Sequence, residues 1–416
     1  MRICIQPSPL SGKVRAIASK SDAHRLLIAA ALADAPTKLL LRGGSRDIDA
    51  TVRSLTALGA VITRAQGSLT VEPIRGTPAS PVLACGESAS TMRFLLPVAP
   101  ALCSGVRFTA EGRLPKRPLS PLKERMEEHG VNFLALPDGV SLTGRLSGGS
   151  YELPGDVSSQ FISGLLFALP LTKEGGQIRL TTRLQSAGYV DMTLETLERF
   201  KIRVERKDNV FRVEGGQAYR SPGEIAVEGD WSNAAFFLAA GAVGGDVTVT
   251  GLNQSSLQCD RAIYPILESM GADISWQNGA LRVKKSALKG IEIDAGDCPD
   301  LVPILASLAA YAEGETRIYN AARLRIKESD RLEAMAKNLS SMGADITELP
   351  DQLVIRGGSP LHSTRLSSFH DHRIAMSLAV AASTVGGIIA HADAVDKSYP
   401  LFFKDYNKLG GIANVL

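Results

Sequence analysis

The chain has 416 residues, of which 44% are hydrophobic and 21% charged, and this composition is typical of a globular protein with two or three domains. A formal net charge of +3, without basic runs interleaved with aromatics, argues against a nucleic-acid-binding protein. The first residues lack the apolar core of a signal peptide, so a cytoplasmic location is expected.

Several chemistries have no support in the sequence. The glycine motifs of dinucleotide and P-loop sites are absent, as are the metalloprotease and serine-hydrolase motifs. No C-x-x-C pair occurs, so neither a disulfide framework nor a zinc site is predicted from the five cysteines, Cys4, Cys85, Cys103, Cys259 and Cys298.

Six polar segments each precede an apolar run, and each is predicted to begin a helix: 19–25, 86–93, 155–160, 229–233, 296–300 and 369–373. Most helix starts are ordinary caps. Here, however, Lys20, Arg25, Arg93 and Arg373 place cations where the helix dipole disfavours them. Such a cation is better explained if an anion binds beside it, because helix N-termini are anion sites.

A second signal repeats between those starts. Five short segments each look like a helix end that leads into a strand, and the helix is usually closed by Gly at the second residue of the segment. These second residues are 59, 130, 201, 271 and 343, which are 71, 71, 70 and 72 apart. The chain therefore contains six units of about 70 residues. The sixth begins at 409–412, and its last strand is predicted at Ile3-Cys4-Ile5-Gln6-Pro7, which resembles Leu69-Thr70-Val71-Glu72-Pro73.

The predicted fold is α/β, with each unit a β-α-β-α-β-β element and three units in each of two similar domains. The first domain spans 20–228, and the second combines 1–19 with 229–416, with crossovers near 19/20 and 228/229. If the helix starts of each domain point the same way, two polar faces oppose each other across a cleft.

Two segments carry side chains suited to anions or proton transfer. Arg113 follows a strand and is a candidate fork for a carboxylate or phosphate. The charged segment 323–332 is predicted to enter a helix, which would put Lys327 and Arg331 on one face. Glu328 is a candidate acid or base, because neighbouring cations lower its pKa while burial raises it.

Six motifs, in this order over nearly the whole chain, resemble the 5-enolpyruvylshikimate-3-phosphate synthase family of enolpyruvyl transferases. Each is weak alone, but the set is specific: Ser19-Lys20-Ser21 with Arg25, Arg113 with Arg117-Pro118, 157–161, 227–230, 326–332 and Asp371-His372-Arg373-Ile374-Ala375-Met376. The resemblance implies two domains of three units each, as the period indicates independently.

The resemblance also implies a reaction of the shikimate pathway to chorismate. A cytoplasmic monomer would transfer the enolpyruvyl group of phosphoenolpyruvate to the 5-hydroxyl of shikimate 3-phosphate and release phosphate, without a metal or other cofactor. Shikimate 3-phosphate would be bound by Lys20, Ser21, Arg25, Ser158, Ser159, Gln160, Ser186, Asp300 and Lys327. Phosphoenolpyruvate would be bound by Lys20, Ala89, Arg113, Gln160, Arg331, Arg373 and Lys397.

Addition to the enol double bond and later elimination of phosphate need a base and an acid. Asp300 is assigned as the base, and Glu328 or Lys20 as the acid. Alone, Asp300 beside Pro299 would more often be a plain helix cap.

The chain departs from the family at two places. Arg323 stands where the family often has Asn, so that substrate contact is not carried over. The usual Gly-Asn-Ala-Gly-Thr loop is Gly86-Glu87-Ser88-Ala89-Ser90, and the methyl of Ala89 replaces a Gly that contacts phosphoenolpyruvate. Because the family inhibitor glyphosate is longer than phosphoenolpyruvate, Ala89 predicts a glyphosate-tolerant enzyme.

Two alternatives remain at this point. One is the related transferase that acts on UDP-N-acetylglucosamine, but its Gly-Gly-Cys loop before Arg-Pro has no counterpart, since no Cys lies between 103 and 259. The other is a non-catalytic anion-binding protein of the same architecture, in which Asp300 or Glu328 would be expected to be lost.

Overall fold

The computed structural model describes every residue, Met1–Leu416, and the chain divides into two compact units. One unit is Lys20–Val227, and the other combines Met1–Ser19 with Glu228–Leu416. No helix combines the length and the apolar character needed to cross a membrane.

Twelve α-helices occur: α1 Lys20–Ala31, α2 Arg46–Ala57, α3 Ala89–Leu102, α4 Leu122–Glu128, α5 Ser159–Ala168, α6 Ala187–Arg199, α7 Trp231–Gly244, α8 Ile263–Ser269, α9 Val302–Tyr311, α10 Arg331–Ser341, α11 His372–Ala382 and α12 Phe402–Lys408. The strands are β1 Arg2–Gln6, β2 Ser11–Arg15, β3 Thr37–Leu40, β4 Val61–Ala65, β5 Ser68–Glu72, β6 Val82–Ala84, β7 Gly105–Thr109, β8 Val131–Leu136, β9 Gly139–Gly144, β10 Gly149–Leu153, β11 Gly176–Leu180, β12 Val204–Lys207, β13 Val210–Val213, β14 Glu224–Ala226, β15 Asp246–Thr250, β16 Asp273–Gln277, β17 Ala280–Lys284, β18 Glu292–Asp294, β19 Glu315–Tyr319, β20 Asp345–Leu349, β21 Gln352–Arg356, β22 Arg365–Ser367, β23 Gly387–Ala390 and β24 Ile412–Val415.

The same four-stranded sheet is built six times. In β6-β7-β9-β8, the first strand runs parallel to the strand after the first helix, and the last two strands form a hairpin. The other five sheets have the same order: β10-β11-β13-β12, β14-β3-β5-β4, β16-β17-β15-β2 read from its far edge, β18-β19-β21-β20 and β22-β23-β1-β24. The prediction of repeated β-α-β-α-β-β units is therefore confirmed.

The sixth repeat takes its last strand from the beginning of the chain, as predicted. Strand β1 lies between β23 and β24, with Ile3 opposite both Ile389 and Val415. Ile3 and Ile5 are 1% and 2% exposed, so this strand belongs to the core of its unit. Burial of these two side chains contributes favourable free energy that stabilises the strand at that position.

Two further strands complete sheets with partners distant in sequence. Strand β14 pairs in parallel with β3, and β2 pairs in parallel with β15. The chain leaves the unit Lys20–Val227 one residue earlier than the predicted boundary near 228/229. Glu228 belongs to the other unit because its carboxylate accepts hydrogen bonds from Asn253 and Gln258.

The first helix of each repeat is apolar nearly all round and is buried within its unit, as in α5 and α7. Helices α3 and α5 pack against each other. A Cβ at Gly164 would lie 2.7 Å from the carbonyl oxygen of Arg93, so glycine allows this close approach. The polar residues that begin these helices are thereby held at fixed positions.

Candidate active site

In the unit Lys20–Val227, helix α1 carries two of the predicted cations. Lys20 begins the helix, and its Nζ lies 2.8 Å from Oδ2 of Asp47 on α2. The anion expected beside this cation is therefore supplied by the protein itself. An anionic ligand would have to compete with the Asp47 carboxylate for Lys20.

Arg25 donates several hydrogen bonds within the protein. It is 2% exposed, its Nε donates to Oγ1 of Thr193 at 2.8 Å, and its Nη2 donates to the carbonyl of Tyr189 at 2.7 Å. Both partners lie on α6, which follows Ser186 directly. The side chain is therefore fixed by packing and hydrogen bonds before any ligand binds.

The first turns of α3 and α5 are joined through Gln160. Its Nε2 donates to Oγ of Ser90 at 2.9 Å, and its Oε1 accepts from Nη1 of Arg93 at 3.1 Å. Ser158 and Ser159, at the start of α5, are both 8% exposed. Gln160, a predicted ligand of both substrates, is therefore held between the first turns of α3 and α5.

Ala89 and Arg113 lie in neighbouring segments of the same repeat. Ala89 is the first residue of α3 and is half-buried. Arg113 is exposed and precedes a 3-10 turn, Leu114–Lys116. Before it, Gly112 has φ +59°, and a Cβ there would lie 2.0 Å from Oε1 of Glu87. This turn therefore requires glycine where it meets the α3 loop.

In the other unit, three cations surround the carboxylate of Asp300. Nη1 of Arg331 lies 2.8 Å from Oδ1, Nη2 of Arg373 lies 3.1 Å from Oδ2, and Nζ of Lys327 lies 3.6 Å from Oδ1. Asp300 is in a short 3-10 turn, Pro299–Leu301, that leads into α9. The predicted base is thus brought together with three predicted ligands of the substrates.

Arg331 is 1% exposed and contacts three carboxylates. Besides Asp300, its Nε donates to Oδ2 of Asp371 at 2.8 Å, and its Nη2 donates to Oε2 of Glu328 at 2.9 Å. Oδ1 of Asp371 also accepts the backbone N–H of Arg373 at 2.9 Å and so caps α11. One buried carboxylate therefore orients both arginines.

The charges around Asp300 decide its protonation state. Burial by itself raises the pKa of this carboxyl, but the charges of Arg373, Lys327 and Arg331 outweigh burial and hold the pKa well below its usual value. Asp300 is therefore a carboxylate at neutral pH. A carboxylate so strongly stabilised accepts a proton poorly until its cationic partners are drawn to a ligand.

A second buried carboxyl, Asp260, lies in the same region of this unit. It is 2% exposed, and the hydroxyl of Ser232 donates to its Oδ2. Burial raises its pKa to about 6, and the negative charge of Asp300 adds to the rise while the positive charge of Arg373 opposes it. No motif in the sequence singled out this residue.

Residues 327–330, directly before α10, are not helical, and a 3-10 helix covers Ala322–Ile326 ahead of them. Asp330 caps the helix by accepting the backbone N–H of Glu333 at 3.1 Å, so α10 begins at Arg331. Lys327 and Arg331 would share a helix face only if both were helical, and Lys327 is not. Both still reach Asp300, because the extended backbone at Lys327 turns its side chain back.

The chain matches one known protein family over nearly its whole length. The family model for EPSP synthase (3-phosphoshikimate 1-carboxyvinyltransferase) matches residues 5–406. The chain belongs to the EPSP synthase family. The resemblance stated from the sequence motifs is thereby confirmed.

Individual relatives of the EPSP synthase family agree. A 3-phosphoshikimate 1-carboxyvinyltransferase of Clostridium perfringens is 42% identical over 99% of both chains, and one of Clostridium kluyveri is 41% identical over 98% of this chain and 97% of its own. The EPSP synthase structure from Acinetobacter baumannii superposes with a TM-score of 0.83 at 27% identity, and each chain is covered completely.

Arg323, which stands where the family often has Asn, forms a hydrogen bond within the protein. Its Nη2 donates to the carbonyl of Gly296 at 2.6 Å, in the loop that leads to Asp300. Lys397, another predicted ligand, is 6% exposed at the end of a 3-10 segment, Ala392–Lys397. The roles of these residues toward substrates remain predictions.

Sequence reasoning missed the carboxylates that hold the cations. Asp47 pairs with Lys20, and Asp371 orients Arg331. These pairs are separated by 27 and 40 residues. Asp371 lies in one of the family motifs, so that motif could have identified it, whereas nothing in the local sequence marked Asp47.

Proposed function

We propose that this protein transfers the enolpyruvyl group of phosphoenolpyruvate to the 5-hydroxyl of shikimate 3-phosphate and releases phosphate. The observation that carries the proposal is the Asp300 carboxylate, held among Arg331, Arg373 and Lys327 in a member of the EPSP synthase family. Both substrates are multiply anionic, so a reaction between them needs several cations at fixed positions.

We assign the substrate contacts by motif position. Shikimate 3-phosphate is proposed to bind Lys20, Ser21, Arg25, Ser158, Ser159, Gln160, Ser186, Asp300 and Lys327. Phosphoenolpyruvate is proposed to bind Lys20, Ala89, Arg113, Gln160, Arg331, Arg373 and Lys397. Support comes from Arg25, Arg93 and Gln160, whose hydrogen bonds within one unit already hold side chains of these sets in place.

Substrate binding is expected to raise the pKa of the base, Asp300. The phosphate and carboxylate of phosphoenolpyruvate compete with Asp300 for Arg331 and Arg373. As these arginines turn to the ligand, Asp300 loses the charges that depress its pKa, so its affinity for a proton rises. The base therefore becomes effective only when the substrate that it serves is present.

The reaction then proceeds in two proton-coupled steps. In the first step, Asp300 removes the proton of the 5-hydroxyl while the hydroxyl oxygen bonds to C2 of phosphoenolpyruvate, the carbon that bears the phosphate. Glu328 or Lys20 donates a proton to the methylene carbon. In the second step, the tetrahedral intermediate loses phosphate from the carbon to which the 5-oxygen is now bonded. The deprotonated Glu328 or Lys20 takes a proton back from the new methyl group as the carbon–carbon double bond re-forms, and Asp300 gives its proton to the departing phosphate.

Phosphorus-31 NMR tests the proposal directly. With both substrates present, the phosphoenolpyruvate signal should be replaced by equimolar inorganic phosphate, while the acceptor keeps its own phosphate in a new product. Loss of phosphate from the acceptor, or no change of either signal, would refute it.

Ala89 supports a finer proposal, tolerance to glyphosate. The residue begins α3 and is half-buried, so its methyl occupies space that glycine would leave open. We expect Ala89→Gly to lower the inhibition constant of glyphosate by at least about tenfold while the KM of phosphoenolpyruvate changes little. Tight inhibition of the unmodified protein would contradict this proposal.

We also propose that the protein acts as a cytoplasmic monomer. Sedimentation velocity should then give a single species near 44.2 kDa with and without substrates. A species of twice that mass would overturn the proposed monomer.

A further inference from the structure

A line of buried polar side chains, none of them a predicted ligand, runs through the interior of the unit Lys20–Val227. Nδ1 of His24 on α1 lies 2.6 Å from Oγ1 of Thr51 on α2, and Oγ1 of Thr51 lies 2.6 Å from Oγ1 of Thr91 on α3. All three residues are 0% exposed. The line therefore joins three helices without contact with solvent.

The line ends at the residue that caps α3. The hydroxyl of Thr91 donates to Oγ of Ser88 at 2.8 Å, and the backbone N–H of Thr91 donates to the same oxygen at 3.3 Å. Ser88 is also 0% exposed and is the N-cap of α3. The position of its hydroxyl thus depends on the side chains behind it.

The direction of the hydrogen bonds along the line is assigned from one contact, in which the Thr91 hydroxyl donates to Ser88. Since the proton of Thr91 is used on Ser88, Thr91 accepts from Thr51. Thr51 has then used its own proton and accepts from His24. The proton of the imidazole is therefore on Nδ1, and Nε2, which is buried without a hydrogen-bond partner, carries none.

The imidazole is also kept neutral. Burial, together with the positive charges of Lys20 and Arg25, lowers the pKa of His24 well below its usual value. The ring packs edge-on against Phe94 with centroids 6.5 Å apart. A neutral ring in a fixed orientation is a donor that does not change across the physiological pH range.

We propose that His24 is a positioning residue for the phosphoenolpyruvate subsite, acting through Thr51 and Thr91 on the N-cap of α3. The first turn of α3 holds Ala89 and Ser90, and Ser90 in turn holds Gln160. The interior line fixes this turn from one side, and Gln160 fixes it from the other. The role in substrate binding rests on the proposed function, whereas the fixed first turn does not.

Thr51→Val tests the line with little change of shape. It removes the hydroxyl that accepts from His24 and donates to Thr91, and Thr51→Ser should restore the wild-type behaviour. The matched control is Thr37→Val on β3, because Thr37 is also 0% exposed and its hydroxyl bonds Ser221 at 2.7 Å.

Hydrogen exchange of the amides of residues 89–93 is the first readout and does not depend on activity. Thr51→Val should speed exchange there about tenfold relative to the rest of the unit, and Thr37→Val should not. Unchanged exchange in Thr51→Val, or equal acceleration in both variants, would overturn the proposal.

Steady-state kinetics give the second readout. Thr51→Val should raise the KM of phosphoenolpyruvate about tenfold and leave kcat within about twofold. It should raise the KM of shikimate 3-phosphate by less, because the two substrates share only Gln160 at this turn. Equal rises in both KM values would contradict the subsite assignment. If wild-type protein releases no phosphate from these substrates, the proposed function fails, and the exchange experiment still decides the interior line.

Nitrogen-15 NMR of histidine-labelled protein tests the direction of the bonds. His24 should show a protonated Nδ1 and an unprotonated Nε2 in wild type and in Thr37→Val. A proton on Nε2 would overturn the assigned direction and with it the role of His24.

Discussion

At the scale of single residues, the chemistry depends on the environment of one carboxylate. The Asp300 carboxylate is stabilised by ion pairs with Arg331, Arg373 and Lys327. In the proposed mechanism, ligands draw these cations away, which would couple ligand binding to proton transfer.

Asp300→Asn should lower kcat by roughly 10² to 10⁴-fold, as expected when a general base is lost, while substrate affinity changes much less. Asp297→Asn is the matched control, because Asp297 lies in the same loop but is exposed. Initial rates of phosphate release measure both. If Asp300→Asn stayed within a few-fold of wild type, another group would have to be the base.

Asp260 predicts a pH-dependent stability. Its folded pKa of about 6 lies above the unfolded value of 3.8, so ionisation opposes folding as the pH rises through 6. Asp260→Asn cannot ionise, and its gain in unfolding free energy should be about 1 kcal/mol larger at pH 8 than at pH 5. Urea denaturation at both pH values tests this, and an equal gain at both would show that Asp260 has an ordinary pKa.

The sequence predicted the cations of the site but not the carboxylates that hold them. Lys20 and Arg373 stood out because they lie at helix starts, where a cation is unusual. Asp47 sits in an ordinary first turn, and its pairing with Lys20 exists only after α1 and α2 pack side by side. Pairing across helices depends on packing that no local pattern reveals.

At the scale of elements, the end of the second helix in each repeat has a left-handed residue. Five of the six positions are Gly59, Gly130, Gly271, Gly343 and Gly410, with φ between +84° and +110°. The sixth is Lys201, with φ +65°. The repeat therefore imposes a conformation that suits glycine and strains lysine.

Lys201→Gly should raise the free energy of unfolding by about 0.5–1 kcal/mol, since the strain exceeds the extra entropy of glycine in the unfolded chain. Gly271→Ala is the opposite control: its Cβ would meet only the Ala287 carbonyl at 3.7 Å, so any loss reflects the backbone alone. Chemical denaturation measures both. A destabilised Lys201→Gly would mean that the lysine side chain contributes more than the strain costs.

The first residue of α10 was not predicted from the sequence. Lys327, Glu328 and Asp330 are all compatible with a helical first turn. Asp330 instead caps the helix, and Lys327 lies outside it with an extended backbone and its Nζ 3.6 Å from Oδ1 of Asp300. The capping bond from Glu333 to Asp330 is local, at the three-residue spacing of a capping box, so the sequence carried a signal for this boundary.

At the scale of the whole molecule, periodicity predicted the architecture. Glycine at regular helix ends identified six repeats, and the likeness of Ile3–Pro7 to Leu69–Pro73 placed β1 in the sixth sheet. The pairing of β2 with β15 and of β14 with β3, which are distant in sequence, was not predicted, because strands of five and three residues have little pattern of their own.

The split repeat makes residues near the start of the chain part of a core. Ile5→Ala should cost about 2–5 kcal/mol of unfolding free energy, because Ile5 is 2% exposed on a central strand. Ile412→Ala, on the neighbouring edge strand at 39% exposure, should cost less than about 1 kcal/mol. Equal effects in urea denaturation would argue against β1 as a core strand.

The central claim is that this chain joins phosphoenolpyruvate to shikimate 3-phosphate. The most direct measurement is the initial rate of phosphate release from phosphoenolpyruvate with shikimate 3-phosphate, with UDP-N-acetylglucosamine, and with no acceptor. The account predicts rapid release with shikimate 3-phosphate that falls at least about 10²-fold in Asp300→Asn, and background rates in the other two reactions. Release that requires UDP-N-acetylglucosamine, or that does not depend on any acceptor, would contradict it.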